Sequence, residues 1–232
     1  MLQNALLLFQ AQATAEGLER EFSAQSIFDI ILSSGTLGII IVLIQFVLSI
    51  AGVYIFIERY MTIKKAGQID EGFMNNIRVN VQSGNIQGAR ALCQTTDSPV
   101  ARMVEKGLQR IGKPLRDIDA AIENVGNLEI FKLEKNLSTL ASISGSAPMV
   151  GFLGTVTGMI QAFFKMATES SVSPSILAGG IYQALITTAF GLFVGILALV
   201  GYNLLVANME KVVFKMERST MEFMDLLQEP TA

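Results

Sequence analysis

The chain has 232 residues, with 17 Lys+Arg against 20 Asp+Glu, 51% hydrophobic residues and only 16% charged ones. Soluble domains carry about 25% charged residues, so this deficit points to a membrane protein. With no His, no Trp and a single Cys (Cys93), the composition excludes an intrachain disulfide framework, a His/Cys zinc site and any Ser-His or Cys-His nucleophilic machine. A net charge of −3 gives no basis for nucleic-acid binding.

The segment 1–34 is read as lying outside the membrane. Ala5–Phe9 is a short apolar core, but no Lys or Arg precedes it, so it falls short of a cleavable leader. Residues 18–32 read as a short amphipathic helix with Leu18, Phe22, Ile27, Ile30 and Ile31 on its apolar side, suited to the membrane–water boundary.

Three charge-free stretches follow: Ile30–Ile57, Asn136–Phe164 and Ser170–Met209. A spanning helix needs about 20 apolar residues, so each stretch holds one span. The spans are placed at 35–57, 136–164 and 177–207. Gly179, Gly180 and Pro174 lie early in the third stretch, which leaves room for one span and not two. Lys and Arg accumulate on the side of a spanning protein that faces the cytoplasm. Only Arg20 precedes span one, whereas residues 58–135 carry twelve Lys/Arg. The link between spans two and three has Lys165, and the tail has Lys211, Lys215 and Arg218. The N-terminus and the 165–176 link are therefore expected outside. The 58–135 segment and the 208–232 tail are expected inside.

The 58–135 segment reads as helical throughout. Ser83-Gly84-Asn85 breaks it, and Ile86–Gln94 forms a short helix. Ser98-Pro99 starts another, with Val100, Met103, Val104, Leu108 and Ile111 recurring at helical spacing. Gly112-Lys113-Pro114 ends it. From Arg116 the pattern shows no stop before Lys135, so one helix is expected to run unbroken into span two. The tail continues span three in the same way, through Val206, Met209, Val213, Met216 and Phe223. Apolar stripes outside lipid need partners, which favours a homo-oligomer. Gly107 to Lys113 has the GxxxxGK spacing of a phosphate loop. It lacks the following Ser/Thr and sits in a helical pattern, so it is read as a helix end.

Span one is apolar apart from Gln45 and Ser49, which are expected to face protein. Spans two and three are of another kind. Gly151, Thr155, Gly158 and Ala162 fall on one helix face; Gly180, Ala184, Thr188, Gly191, Gly195 and Ala198 repeat the device. Small residues at such steps let helices approach closely in lipid. Ser144, Thr157, Gln161, Gln183 and Thr187 add polar atoms at membrane depth, where they must face protein or water. A single Thr is ordinarily satisfied by its own helix. A ring of such helix pairs would enclose a narrow, mildly polar passage.

Ala147-Pro-Met-Val-Gly-Phe-Leu-Gly-Thr-Val-Thr-Gly-Met159, followed by Gly180-Ile-Tyr-Gln-Ala-Leu-Ile-Thr-Thr-Ala-Phe-Gly-Leu192 and Tyr202-Asn203, resembles the MotA/TolQ/ExbB proton channel family over about residues 116–210. Three spans with the N-terminus outside fit the ExbB and TolQ branches, ExbB ahead of TolQ, better than the four-span MotA branch. The resemblance implies an all-α membrane protein forming a homopentamer around a central pore in the bacterial inner membrane. It implies a non-enzymatic role with no cofactor or metal. The pore would hold an ExbD-like single-span partner, with proton motive force driving work delivered to a TonB-like protein. Carried over by position, Thr155 and Thr188 would line the pore, with Thr187 and Gln183 beside them. Pro148, Gly151, Gly154, Gly158, Gly191 and Gly195 would pack the helices around it. Two departures stand out: Gln183 occupies the position where the family commonly has Glu, and Leu197 the position of a common Pro. No span then contains an ionisable Asp, Glu, Lys, Arg or His, so proton exchange would rest on the partner's acid.

Overall fold

The computed structural model describes residues 35–68, 70, 72–168 and 174–228. The amphipathic helix expected over 18–32 and residues 169–173 of the link between spans two and three lie outside the described residues. Seven helices occupy the described chain: α1 (Gly35–Ala66), α2 (Phe73–Gln82), α3 (Ile86–Thr95), α4 (Pro99–Leu108), α5 (Leu115–Glu134), α6 (Leu137–Thr168) and α7 (Pro174–Gln228). Three of the helical stretches are long and apolar enough to cross a membrane, which agrees with the charge-free segments. The described residues divide into two compact units, one from the stretches 35–50 and 144–196 and the other from 51–143 and 197–228.

The second unit has an ordinary apolar core. Ile63, Phe73, Ile77, Cys93, Val104, Ile122, Leu205, Met216 and Phe223 are all buried. α2 packs on α3, α3 on α4 and α4 on α5. Local chemistry sets the turns between them. Gly84 and Gly112 take positive φ angles of 75° and 90°, a region open to glycine at little cost. Asn85 caps α3 by accepting from the Gly88 amide at 3.0 Å. Ser98 caps α4 by accepting from the Ala101 amide at 3.1 Å, with Pro99 in the first turn. Gly107 is a packing residue inside α4. A Cβ there would stand 2.5 Å from Phe223 and 2.8 Å from Ile122, so the phosphate-loop spacing is coincidental.

One expectation fails. α5 does not run unbroken into span two: it stops at Glu134, and α6 restarts at Leu137. Lys135 is extended (φ −49°, ψ 134°) and Asn136 has φ 63°. Asn enters this left-handed region more readily than other residues with a Cβ, so the break carries no Gly or Pro signal. In an unbroken helix the Lys132 carbonyl would accept from the Asn136 amide. Here it accepts instead from Arg59 Nη1 at 3.0 Å, and Arg59 is only 5% exposed. The buried guanidinium, also paired with Glu58, thereby ties the kink to α1.

A line of charges runs beside this joint. Lys65 Nζ meets Asp97 at 2.7 Å, and Arg102 meets both Asp97 (2.9 Å) and Glu129 (2.7 Å). Lys132 closes on Glu129 at 2.7 Å. Hydrogen bonds from Lys65 first, then from Arg102, hold the Asp97 carboxyl below the ordinary carboxylate range.

The first unit has the reverse distribution. Its interior is built mostly from small and polar residues, with Ala147, Ala162, Ala184, Gln45 and Thr187 all buried beside Ile41 and Val194. Its bulky side chains, among them Phe152, Ile160, Phe164, Leu185 and Phe193, point outward. Where lipid is as apolar as leucine, close backbone packing and not apolar burial holds helices together, and this unit is arranged accordingly.

Candidate ion pathway at the α6–α7 seam

The glycine and alanine stripes of α6 and α7 meet each other within one chain. A Cβ on Gly191 would lie 2.6 Å from the Ala147 carbonyl oxygen and 2.9 Å from Gly151 Cα. On Gly195 it would lie 2.6 Å from Pro148 Cγ, and on Gly180 2.5 Å from Ala162 Cβ. On Gly158 it would lie 3.2 Å from Ala184 Cβ, and on Gly154 it would overlap the Thr187 side chain, 2.7 Å from Cβ. The helix backbones are therefore in direct contact.

The threonines sort into two kinds. Thr155 is half-buried and donates to the Phe152 carbonyl of its own helix at 2.5 Å. Its exposed side borders an open trough of about 750 Å³ on α6, lined otherwise by apolar residues including Phe152, Val156, Met159 and Phe163. Thr187 is 3% exposed and donates to Ala184 O at 2.9 Å. It is packed inside the seam. Thr157 also bonds back to its own helix. Thr188 differs: half-buried, it donates across the seam to Gly151 O at 3.0 Å. In a regular helix that carbonyl also accepts from the amide of Thr155. The two threonines are thus joined through one peptide group. Gln183 is half-buried one helical turn before Thr187.

Gln45 was legible only as a residue facing protein; its place in the site was not. It is fully buried, and its Nε2 donates to Thr187 O at 2.8 Å. It fits because Gly151 and Gly191 leave space: a Cβ on either would stand 3.2 Å or 2.8 Å from that nitrogen. Its Oε1 has no hydrogen-bond partner among the described residues. Span one is therefore fastened to the seam by a polar side chain at the level of Thr187 and Thr188. Among the described residues no cluster of three His, Cys, Asp or Glu side chains forms a metal site. The chemistry on offer is that of hydroxyls, which donate and accept, and of carbonyl oxygens, which only accept; neither holds charge near neutral pH.

The profile of the MotA/TolQ/ExbB proton channel family matches residues 95–218, which takes in α4, α5, α6 and most of α7. The chain is 33% identical over 142 residues to the Tol-Pal system protein TolQ of Pseudomonas aeruginosa, covering 56% of this chain and 62% of that protein. It is 26% identical over 178 residues to a putative biopolymer transport protein ExbB homolog of Methanothermobacter thermautotrophicus, covering 75% and 63%. It is 40% identical over 86 residues to the biopolymer transport protein ExbB of Xanthomonas campestris, covering 37% and 34%. The matched stretches thus span under two thirds of each of these relatives. Proteins named ExbB and TolQ match at comparable levels.

Proposed function

This chain belongs to the MotA/TolQ/ExbB proton channel family, a family of membrane transport proteins, and from that premise we propose that it is the three-span subunit of an ion-driven inner-membrane motor. Five copies surround a central pore. The pore holds an ExbD-like single-span partner that brings the carboxylate this chain lacks. Proton motive force moves the assembly, and a TonB-like protein carries the work to outer-membrane transport. The N-terminus lies in the periplasm; 58–135 and the C-terminal tail lie in the cytoplasm, following the Lys/Arg distribution. A TolQ-like role in a Tol-Pal system is the second reading, favoured by the 33% identity to a TolQ protein over 142 residues.

The observation that carries the reading is the coupling of Thr188 to Gly151 O, one turn from Thr155. It sets two hydroxyls along one seam, in spans without an ionisable side chain. Such a seam passes a proton through hydroxyls and water only when a neighbouring group supplies and removes it, hence the need for a partner acid. Gln183, in place of the family's common Glu, leaves that duty with the partner.

Affinity capture of the full chain from its own membranes tests this. The expected co-purifying protein has one span with an Asp or Glu inside it. The complex in vesicles should carry protons under an imposed gradient. Recovery of the chain with no such partner, or a complex without proton flux, would leave a non-conducting scaffold as the better account.

A further inference from the structure

The second unit holds a pocket of about 310 Å³ between the C-terminal end of α1 and α7. Its polar lining includes Tyr60, Lys64, Asn208, Lys211 and Lys215, and no Asp or Glu lines it. Its floor is apolar: Ile63 and Val212 there are both buried. Lys215 Nζ donates to Gly67 O at 3.0 Å, which pins one wall. Lys64 Nζ stands 5.9 Å from the centre of the Tyr60 ring. Lys65 and Lys132 have carboxylate partners, but among the described residues Lys64, Lys211 and Lys215 have none. Three cations share a small cavity without a counter-charge among the described residues.

The depth of the cavity says what brings the counter-charge. The charge-free run of α1 ends at Ile57 and that of α7 at Met209. Lys211 is then about 3 Å along its helix past that limit, and Lys64 and Lys215 about 10 Å. The headgroup layer is roughly 5–8 Å thick on each side of the hydrocarbon, and lysine side chains reach back several ångströms toward it. On the hydrocarbon side the same two helix faces continue into Ile57 and Leu204, both large and exposed. An amphiphile with acyl chains on Ile57 and Leu204 would place its headgroup against the lysines. We infer that this pocket is a binding site for the phosphodiester headgroup of an anionic phospholipid, whose charge pairs with Lys64, Lys211 and Lys215 and whose oxygens accept from Tyr60 and Asn208. The site rests on α1 and α7 crossing the bilayer and is independent of ion conduction.

The test uses the purified full chain in mild detergent, incubated with equimolar phosphatidylglycerol and phosphatidylcholine, with bound lipid counted by native mass spectrometry. The wild type should retain phosphatidylglycerol in preference. A lysine near a charged headgroup surface is worth about fivefold in affinity, so Lys64→Gln with Lys211→Gln should lower it by about thirtyfold. Lys64→Arg with Lys211→Arg should keep it, as should Lys106→Gln with Lys113→Gln, which removes equal charge elsewhere. Equal retention of both lipids by the wild type overturns the proposal, even if the double Gln variant does not fold. So does undiminished phosphatidylglycerol on a folded double Gln variant. Displacement of the lipid by millimolar inorganic phosphate would assign the lysines to a free anion and would likewise overturn it.

Discussion

Thr188 donates its hydroxyl to the carbonyl of Gly151 across the α6–α7 seam, at 3.0 Å. Most of the other threonines described in α6 and α7, including Thr155, Thr157 and Thr187, donate to their own helix. This bond is therefore a tertiary one, and it separates Thr188 from its neighbour Thr187 in what each can be asked to do. Thr188→Val should lose the seam bond, a destabilisation of about 1 kcal/mol, and abolish proton flux through the partner complex. Thr188→Ser keeps a hydroxyl and should restore much of the flux. Equal flux in the Val and Ser variants would reduce Thr188 to packing.

Thr155→Val removes a hydroxyl bonded only within α6. Its stability should change by less than about 1 kcal/mol, since the Phe152 carbonyl keeps its helical partner. Flux should nonetheless be lost. Melting temperature and proton uptake measured on the same preparation separate the two effects; a variant with normal uptake would take Thr155 out of the pathway.

Gln45 gives a charge test of the seam. Gln45→Leu removes one hydrogen bond and one unpaired buried oxygen together, so stability should stay within about 1 kcal/mol of the wild type. Gln45→Glu replaces the donating Nε2 with an acceptor facing Thr187 O. The acid must remain protonated or the contact opens, at a cost on the order of 2 kcal/mol or more. Thermal unfolding of the two variants in detergent should rank them Leu above Glu, with the gap widening as pH rises from 5 to 8. The reverse order would mean that Gln45 does not sit as described.

Gln183→Ala should lower flux by removing an amide from a half-buried position on α7. Gln183→Glu should be tolerated if the acid stays protonated or paired, and should lower flux if a ring of carboxyls repels or traps the ion. Flux assays on both variants decide this, and full flux in Gln183→Ala would dismiss Gln183 from the pathway.

Cys93, the single thiol, is a poor reporter of topology. It is 3% exposed, and burial, with Glu105 adding to it, pushes its thiol up to about 12. Alkylating reagents should therefore leave Cys93 intact near neutral pH on either side of the membrane. Because the folded value exceeds the unfolded one, only the unfolded chain releases this proton between about pH 9 and 12. Stability should fall with rising pH across that window and be insensitive to this group below it. Topology is better read from Ser83→Cys, an exposed position, in a Cys93→Ala background. An impermeant thiol reagent should label it in inverted vesicles and not in intact cells; the opposite result would invert the proposed orientation.

The primary structure alone determined the helix class, the three spans and the motif on which the family assignment rests. These are properties of composition and of short periodic patterns, which hydropathy and small-residue spacing expose directly. It also marked the break at Ser83-Gly84-Asn85 and the helix start at Ser98, where side chain and amide are three residues apart. What only the tertiary structure decided has partners far apart in the chain. The break at Lys135-Asn136 is stabilised by Arg59, 73 residues away from Lys132, and Asn136 signals no stop of its own. Gln45 reads as one polar residue in a greasy span until Thr187, 142 positions on, is seen beneath it. Thr187 and Thr188 are adjacent and chemically identical, yet one is enclosed against Gly154 while the other bridges two helices. A helix turns about 100° per residue, so neighbours of one type face different surroundings, and only the packing of α6 on α7 says which surroundings each one meets.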